Sequence, residues 1–369
     1  MNNSELKGAN FIYKLTEIIK DNLNKKGNLS KEDFKSTYDQ LLGFGYEKDP
    51  IIDQILQDGD IKNNLSLIFK CDKSKISITP EEALSGDIIY HYGNLDLRRI
   101  QSAEGLVLPE NIEGSLNLSE LQSAKKLVLP KNIGGELNLS GLQSAEGLVL
   151  PESIGGYLYL SGLQSTEGLE LPKNLDSLDL RRLQSAEGLV LPKSIGDYLN
   201  LSGLKSAEGL VLPESIGGYL NLSGLQSTEG LTLPKSIGGT LDLSGLQSVE
   251  GLVFPESIEG NLYLSRLKSA EGLVLPESIG GDLDLNGLKS AKGLVFPESI
   301  EGNLYLSRLK SAEGLILPKN IEGTLYLSGL QSAKGLVLPE NIEGTLYLRG
   351  LQSTEGLVFP ENIREKIVL

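Results

Sequence analysis

The sequence predicts a mainly β protein: a right-handed β-solenoid of about 13 coils with two short parallel strands per coil, preceded by a small all-α N-terminal domain. Three observations carry this expectation. A proline recurs at fixed spacing from Pro109 to Pro360, the apolar residues between prolines fall in fixed columns, and neither pattern is present in the first part of the chain. Such a period marks a stacked array, because each short unit cannot bury its own apolar side and does so only against its neighbours. The expected organisation is a helical domain at 1–75, a capping segment at 76–92 and the solenoid at 93–369.

In the helical domain, Ile12, Leu15, Ile19 and Leu23 recur at helical spacing. Ser30 and Asp33 form a capping-box-like start, with Leu29 and Phe34 placed as a staple. Phe34, Tyr38, Leu41 and Leu42 supply the stripe of a second helix, and Asp49-Pro50 opens a third. Residues 22–33 resemble an EF-hand loop in outline, with Gly27 at the turn. Calcium needs carboxylates at the ligand positions, and Asn22, Asn24 and Lys26 stand there instead. A plain helix–loop–helix with no metal is the reading adopted. From Ile76 to Tyr92, alternation replaces helical spacing, which suits a strand covering the first coil. His91 has no second ligand nearby in sequence and is expected to be structural.

The repeat is 21 residues long, except for a step of 20 between Pro172 and Pro192. In the unit from Leu148 to Gly168, Leu148-Val149-Leu150 is expected to form one short strand, ended by Pro151. Gly155-Gly156 is expected to turn with positive φ. Tyr157-Leu158-Tyr159-Leu160 alternates and forms the second strand. The inward set is the strand leucines, the isoleucine after Pro-x-x, the leucine after Ser-Gly, the residue before proline and the alanine of Ser-Ala-Glu. The serine column from Ser102 to Ser353 never varies. A nucleophile repeated in every coil has no chemical logic, whereas a hydroxyl satisfying turn backbone does.

Composition excludes several functions. The chain has 369 residues, a net charge of −15 and a pI near 4.7. That balance argues against a phosphate-backbone binder. One cysteine and one histidine leave no disulfide and no Cys/His zinc set. No apolar run reaches membrane-spanning length, and Met1 to Lys20 lacks a signal-peptide core. The expected location is the cytoplasm, or export without a cleaved signal. No catalytic residue, metal site or cofactor is expected.

Function is left to the outward positions that vary. One column runs through Tyr157, Tyr198 and Tyr219 to Asn303 and Thr345; a second runs through Tyr159, Asn200, Asn221, Asp242, Tyr263, Asp284, Tyr305, Tyr326 and Tyr347. The tyrosines with Asn200, Asn221, Asp242 and Asp284 are the candidate binding residues, since tyrosine offers area and a hydroxyl at low entropy cost. The competing reading is that these tyrosines only stack to stabilise the sheet. The valine column, including Val107, Val128, Val149, Val190, Val211 and Val253, is expected to be partly exposed.

The run Leu-Pro-Glu-Ser-Ile-Gly-Gly-x-Leu-x-Leu-Ser-Gly-Leu resembles bacterial leucine-rich repeats over roughly residues 93–363. Where that family carries a buried asparagine, Leu142, Leu163 or Leu204 stands, which leaves open both a leucine-rich-repeat-like solenoid and a flatter, β-helix-like variant without the ladder. The resemblance implies a protein-binding scaffold, of surface, effector or interaction type, and carries over no catalytic residue. The expected function is therefore a non-enzymatic scaffold that holds a protein partner on the Tyr/Asn/Asp face. Self-association through the valine stripe or the solenoid ends is the alternative, and carbohydrate binding a weaker variant.

Overall fold

The computed structural model describes residues 73–77, 79–86 and 88–369. The helices expected before residue 73 and the loop at 22–33 lie outside the described residues. The chain divides into two compact units, Met1–Leu139 with Gly147–Leu158, and Ser140–Glu146 with Tyr159–Leu369. In both, the described part is a parallel β-solenoid with turns of about 21 residues.

The first unit begins with strand Ile76–Ser77, which pairs with Tyr90–His91 and through it with Asn111–Ile112. Between them, Thr79 caps the one-turn helix Pro80–Ala83 by accepting from the Glu82 N–H at 3.3 Å. His91 is buried, its Nδ1 lies 3.0 Å from the Ser77 hydroxyl, and its Nε2 reaches the Asn94 carbonyl at 3.4 Å. The lone histidine thus joins the first coil to the segment before it. Leu95–Asp96, Leu116–Asn117 and Leu137–Asn138 build the second sheet of this unit.

In the second unit, Leu199, Leu220, Leu241, Leu262, Leu283, Leu304, Leu325 and Leu346 pair in strict register, and the last pairs with Ile367. Equivalent residues always meet, so an inward column stays inward in every coil. The strand leucines, the leucine after the turn and the isoleucine column are almost completely buried. Each coil therefore presents an apolar slab to the next, at about 0.8 kcal/mol per methylene removed from water.

Two local expectations need correction. The first strand of most coils is not Leu-Val-Leu but the dipeptide that begins two residues after proline, as in Ser153–Ile154 and Ser257–Ile258. Proline offers no N–H to a neighbouring coil. Ladder bonds therefore begin after it, with Lys131 N–H on Glu110 O at 2.7 Å and Glu152 N–H on Lys131 O at 3.0 Å. The left-handed backbone is not at Gly-Gly but at the glycine after Ser-Ala-Glu, such as Gly272 with φ +76°. There Leu273 N–H closes a β-turn on Ala270 O at 3.1 Å, and the third turn position demands positive φ. The glycine at the second position of this pair, which stays glycine where the first is Glu as in Glu301-Gly302, is needed for a different reason. A Cβ on Gly302 would sit 2.4 Å from the carbonyl carbon of Gly281 in the preceding coil.

The invariant serines behave as expected: Ser144 Oγ accepts from Glu146 N–H at 3.1 Å, and Ser269 does the same for Glu271. The shortened step is absorbed inside one pair of strands. Leu175–Asp179 pairs with Ser194–Asn200 from Leu175↔Ile195 to Ser177↔Tyr198, so the longer strand carries one extra residue as a bulge. Register is restored at once, with Leu178 opposite Leu199. A longer copying unit is also visible: residues 251–273 and 293–315 are identical, two coils apart.

Candidate binding surface

The first outward column is mostly a hydrogen-bond ladder to the backbone. Thr240 Oγ1 accepts from Asn261 N–H at 3.3 Å, Asn261 Oδ1 from Asp282 N–H at 2.7 Å, and Asp282 Oδ1 from Asn303 N–H at 2.7 Å. Asn303 Oδ1 then accepts from Thr324 N–H at 2.7 Å, and Thr324 Oγ1 from Thr345 N–H at 3.2 Å. The same device opens the first unit, from Asn94 to Ser115 and from Ser115 to Glu136. A short side chain with an acceptor oxygen is what this position requires, which explains its Asn, Asp, Ser and Thr.

In the second column, Asn and Asp hold the following turn. Asn200, Asn221, Asp242 and Asp284 each accept the N–H two residues on, at 2.8–3.0 Å. These are Asx turns, in which the side chain stands in for a backbone acceptor. Asp179 does this for Arg181 and also receives the guanidinium on both oxygens, with its own side chain buried. The Arg181 pair raises that guanidinium's pKa, chiefly through the hydrogen bond to Asp179. The signal for this pair was in the sequence, because Asp-Leu-Arg occurs at both 96–98 and 179–181.

Tyrosine in the second column cannot serve the turn in this way. At Tyr305 the duty passes to Asn286 of the preceding coil, whose Oδ1 takes the Ser307 N–H at 2.9 Å. Tyr305, Tyr326 and Tyr347 stack instead, with ring centroids 4.6 and 5.1 Å apart and planes within 5°. Arg349 closes the stack, its guanidinium carbon 5.2 Å from the Tyr347 centroid. Arg349 stands outside the expected set, although Tyr-x-Arg at 347–349 marks it. Tyr263 lies two coils before Tyr305, with Asp284 between them in the column.

The remaining tyrosines do not join this stack. Tyr198 and Tyr219 meet edge-on at 5.4 Å, and Asn200 and Asn221 donate to their hydroxyls at 2.8 and 3.2 Å. Tyr219 in turn donates to Asp242 at 3.1 Å. Tyr157 belongs to the first unit and Tyr159 to the second. Burial first, then nearby aspartates, push the phenols of Tyr219, Tyr263 and Tyr305 above their ordinary value. Burial likewise raises the Asp284 carboxyl, reinforced by Asp242 and Asp282. The aromatic edge is therefore neutral in its rings and lined by carboxylates.

The valine column is largely exposed rather than half covered. In the second unit Val253, Val274, Val295, Ile316, Val337 and Val358 show 71–81 % of their surface. Leu273 before Val274 is buried, and alternation turns the middle residue outward.

The sequence matches no protein-family model, no curated protein and no solved structure. Among the described residues, no group of three or more His, Cys, Asp or Glu could hold a metal ion. No helix among them is long and apolar enough to cross a membrane.

Proposed function

We propose that this protein is a non-enzymatic interaction scaffold that binds a protein partner through the tyrosine-bearing edge of its second unit. The observation that supports this most is the coplanar stack of Tyr305, Tyr326 and Tyr347. Stacking fixes three large amphipathic side chains before any partner arrives, which lowers the entropy lost on binding. The stack also stands where other coils place a turn-capping Asn or Asp, so the fold alone favours a different residue there. The likeness of the repeat to bacterial leucine-rich repeats supports the same reading, as a cytoplasmic or effector-like exported protein. The test is Tyr305→Asn, Tyr326→Asn and Tyr347→Asn combined. Asparagine occupies this column at Asn200 and Asn221, so the fold is preserved. Affinity capture with quantitative mass spectrometry should show partners of the wild type depleted about tenfold or more with the variant. Undiminished recovery by a variant of unchanged melting would refute the proposal. A second reading, self-association through the valine stripe, is favoured by the exposure of six apolar residues in adjacent coils.

A further inference from the structure

In the middle four coils of the second unit's valine stripe, the charges along one rim are self-complementary in order. Three residues before each stripe residue, at the corner of the Ser-capped turn, stand Glu250, Glu271, Lys292, Glu313, Lys334 and Glu355. The serine hydroxyls hold the backbone of Glu271, Lys292, Glu313 and Lys334, so each side chain leaves from a fixed, exposed corner. Opposite charges sit one coil apart in this column, yet no ion pair forms among these four. In the first unit Glu104 of the equivalent column pairs with Lys126, which stands one position beyond the column, at 2.6 Å.

We propose that the stripe docks onto a second copy of this chain, antiparallel, about a two-fold axis passing between Val295 and Ile316. In an isologous contact, residue i meets j and j meets i. This axis places Val295 against Ile316, Val274 against Val337 and Val253 against Val358 of the second copy. It also places Lys292 against Glu313 and Glu271 against Lys334, each pair occurring twice, while Glu250 meets Glu355 at the two ends of the column. The four central charges, which form no ion pair among the described residues, thus answer one another. On the other rim, Glu298 and Lys319, already joined at 2.8 Å, face their own symmetry mates as an alternating foursome, while Glu277 meets Glu340 and Glu256 meets Glu361, so the rims select a register and do not themselves supply the attraction. Sliding the copies by one coil in either direction sets Lys292 against Lys334 or against itself, so charge fixes the register while the apolar stripe supplies the attraction.

The size of the face sets the strength. Five coil steps of about 4.8 Å make it roughly 24 Å long, and seven residues across make it roughly 20 Å wide. That is on the order of 500 Å² per copy, at the low end of specific interfaces, so the dimer is a reversible one. This inference rests on the second reading above and is independent of the tyrosine edge.

The experiment is analytical ultracentrifugation of the full chain over a concentration series at low salt. The wild type should shift from monomer to dimer, and Tyr305→Asn/Tyr326→Asn/Tyr347→Asn should leave that shift unchanged. Val295→Thr with Ile316→Thr should abolish it. The column already carries Glu170 and Thr232, so polar residues there are compatible with the fold. Lys292→Glu alone and Glu313→Lys alone should each weaken dimerisation about tenfold or more. The double variant Lys292→Glu/Glu313→Lys should recover it, because the pair re-forms with signs exchanged. A strict monomer at high concentration, a dimer indifferent to the Val295/Ile316 change, or a double swap that fails to recover each overturns the proposal.

Discussion

Replacing Asn303 with leucine removes one link of the ladder that runs up the first outward column. Asn303 Oδ1 accepts the Thr324 N–H at 2.7 Å, and its Nδ2 donates to Asp282 Oδ1 at 2.9 Å. Leucine has similar bulk and neither group. A half-buried N–H left without its acceptor costs about 1–3 kcal/mol, and the second hydrogen bond adds about 1 kcal/mol. The expected loss is therefore about 2–4 kcal/mol. Asn303→Thr is the matched control. Threonine keeps the acceptor, as Thr324 does for Thr345 at 3.2 Å, and should cost less than about 1 kcal/mol. Urea unfolding gives the global figure. Because stability in a stacked array is a sum over neighbours, amide exchange at Thr324 gives the local one. Leucine and threonine variants within about 0.5 kcal/mol of each other, with Thr324 equally protected, would refute the structural role assigned to this column.

Three further outcomes follow from the same geometry. Lys126 stands at φ 66°, where every equivalent residue is glycine, so Lys126→Gly should raise the unfolding free energy from urea titration by about 0.5–1 kcal/mol once the exposed pair with Glu104 is measured separately in Glu104→Ala. His91 is buried with its pKa held below the ordinary 6.5, chiefly by desolvation. The unfolded chain then binds the proton more readily, so stability should be full above 6.5 and fall as pH drops below it; His91→Gln should flatten that slope in pH-dependent melts. Asp284 has the opposite sign: its raised pKa favours the protonated fold below the ordinary 3.8 and penalises the charged fold as pH rises. Asp284→Asn keeps the acceptor for Asn286 and should be more stable than wild type at pH 7, with the difference vanishing near pH 3 in thermal melts.

The coil architecture was legible because inward columns repeat: the spacing of Pro109 to Pro360 and the strand leucines specify both the period and the buried face. The strand boundaries were not, because β-propensity pointed to Leu-Val-Leu while the neighbouring proline decided where backbone bonding could begin. Gly302 was legible as important but not as to why, since its constraint comes from the coil beneath it and not from its own torsions. In the outward columns, variability was read as recognition. At Asp282 and Asn303 it reflects a requirement that several residue types can meet, namely an oxygen at the right reach. Only where tyrosine displaces that oxygen does variation stop being explained by the backbone. The unpaired charges beside the valine stripe become visible only with coordinates, because adjacency in a column does not tell whether two side chains have closed on each other.

The bulge opposite Leu175–Asp179 carries a consequence for how such a chain can change. A missing residue is corrected within a single coil, and the copies on either side keep their alignment. An array with that tolerance can gain or lose whole coils without disturbing its neighbours, and the stretches at 251–273 and 293–315 are identical over more than one whole coil. Lengthening by duplication carries Tyr263 and Arg266 along as Tyr305 and Arg308, so outward side chains multiply in fixed steps of about 4.8 Å per coil. Reach along the surface is then inherited as a count of copies, adjustable without designing a new fold.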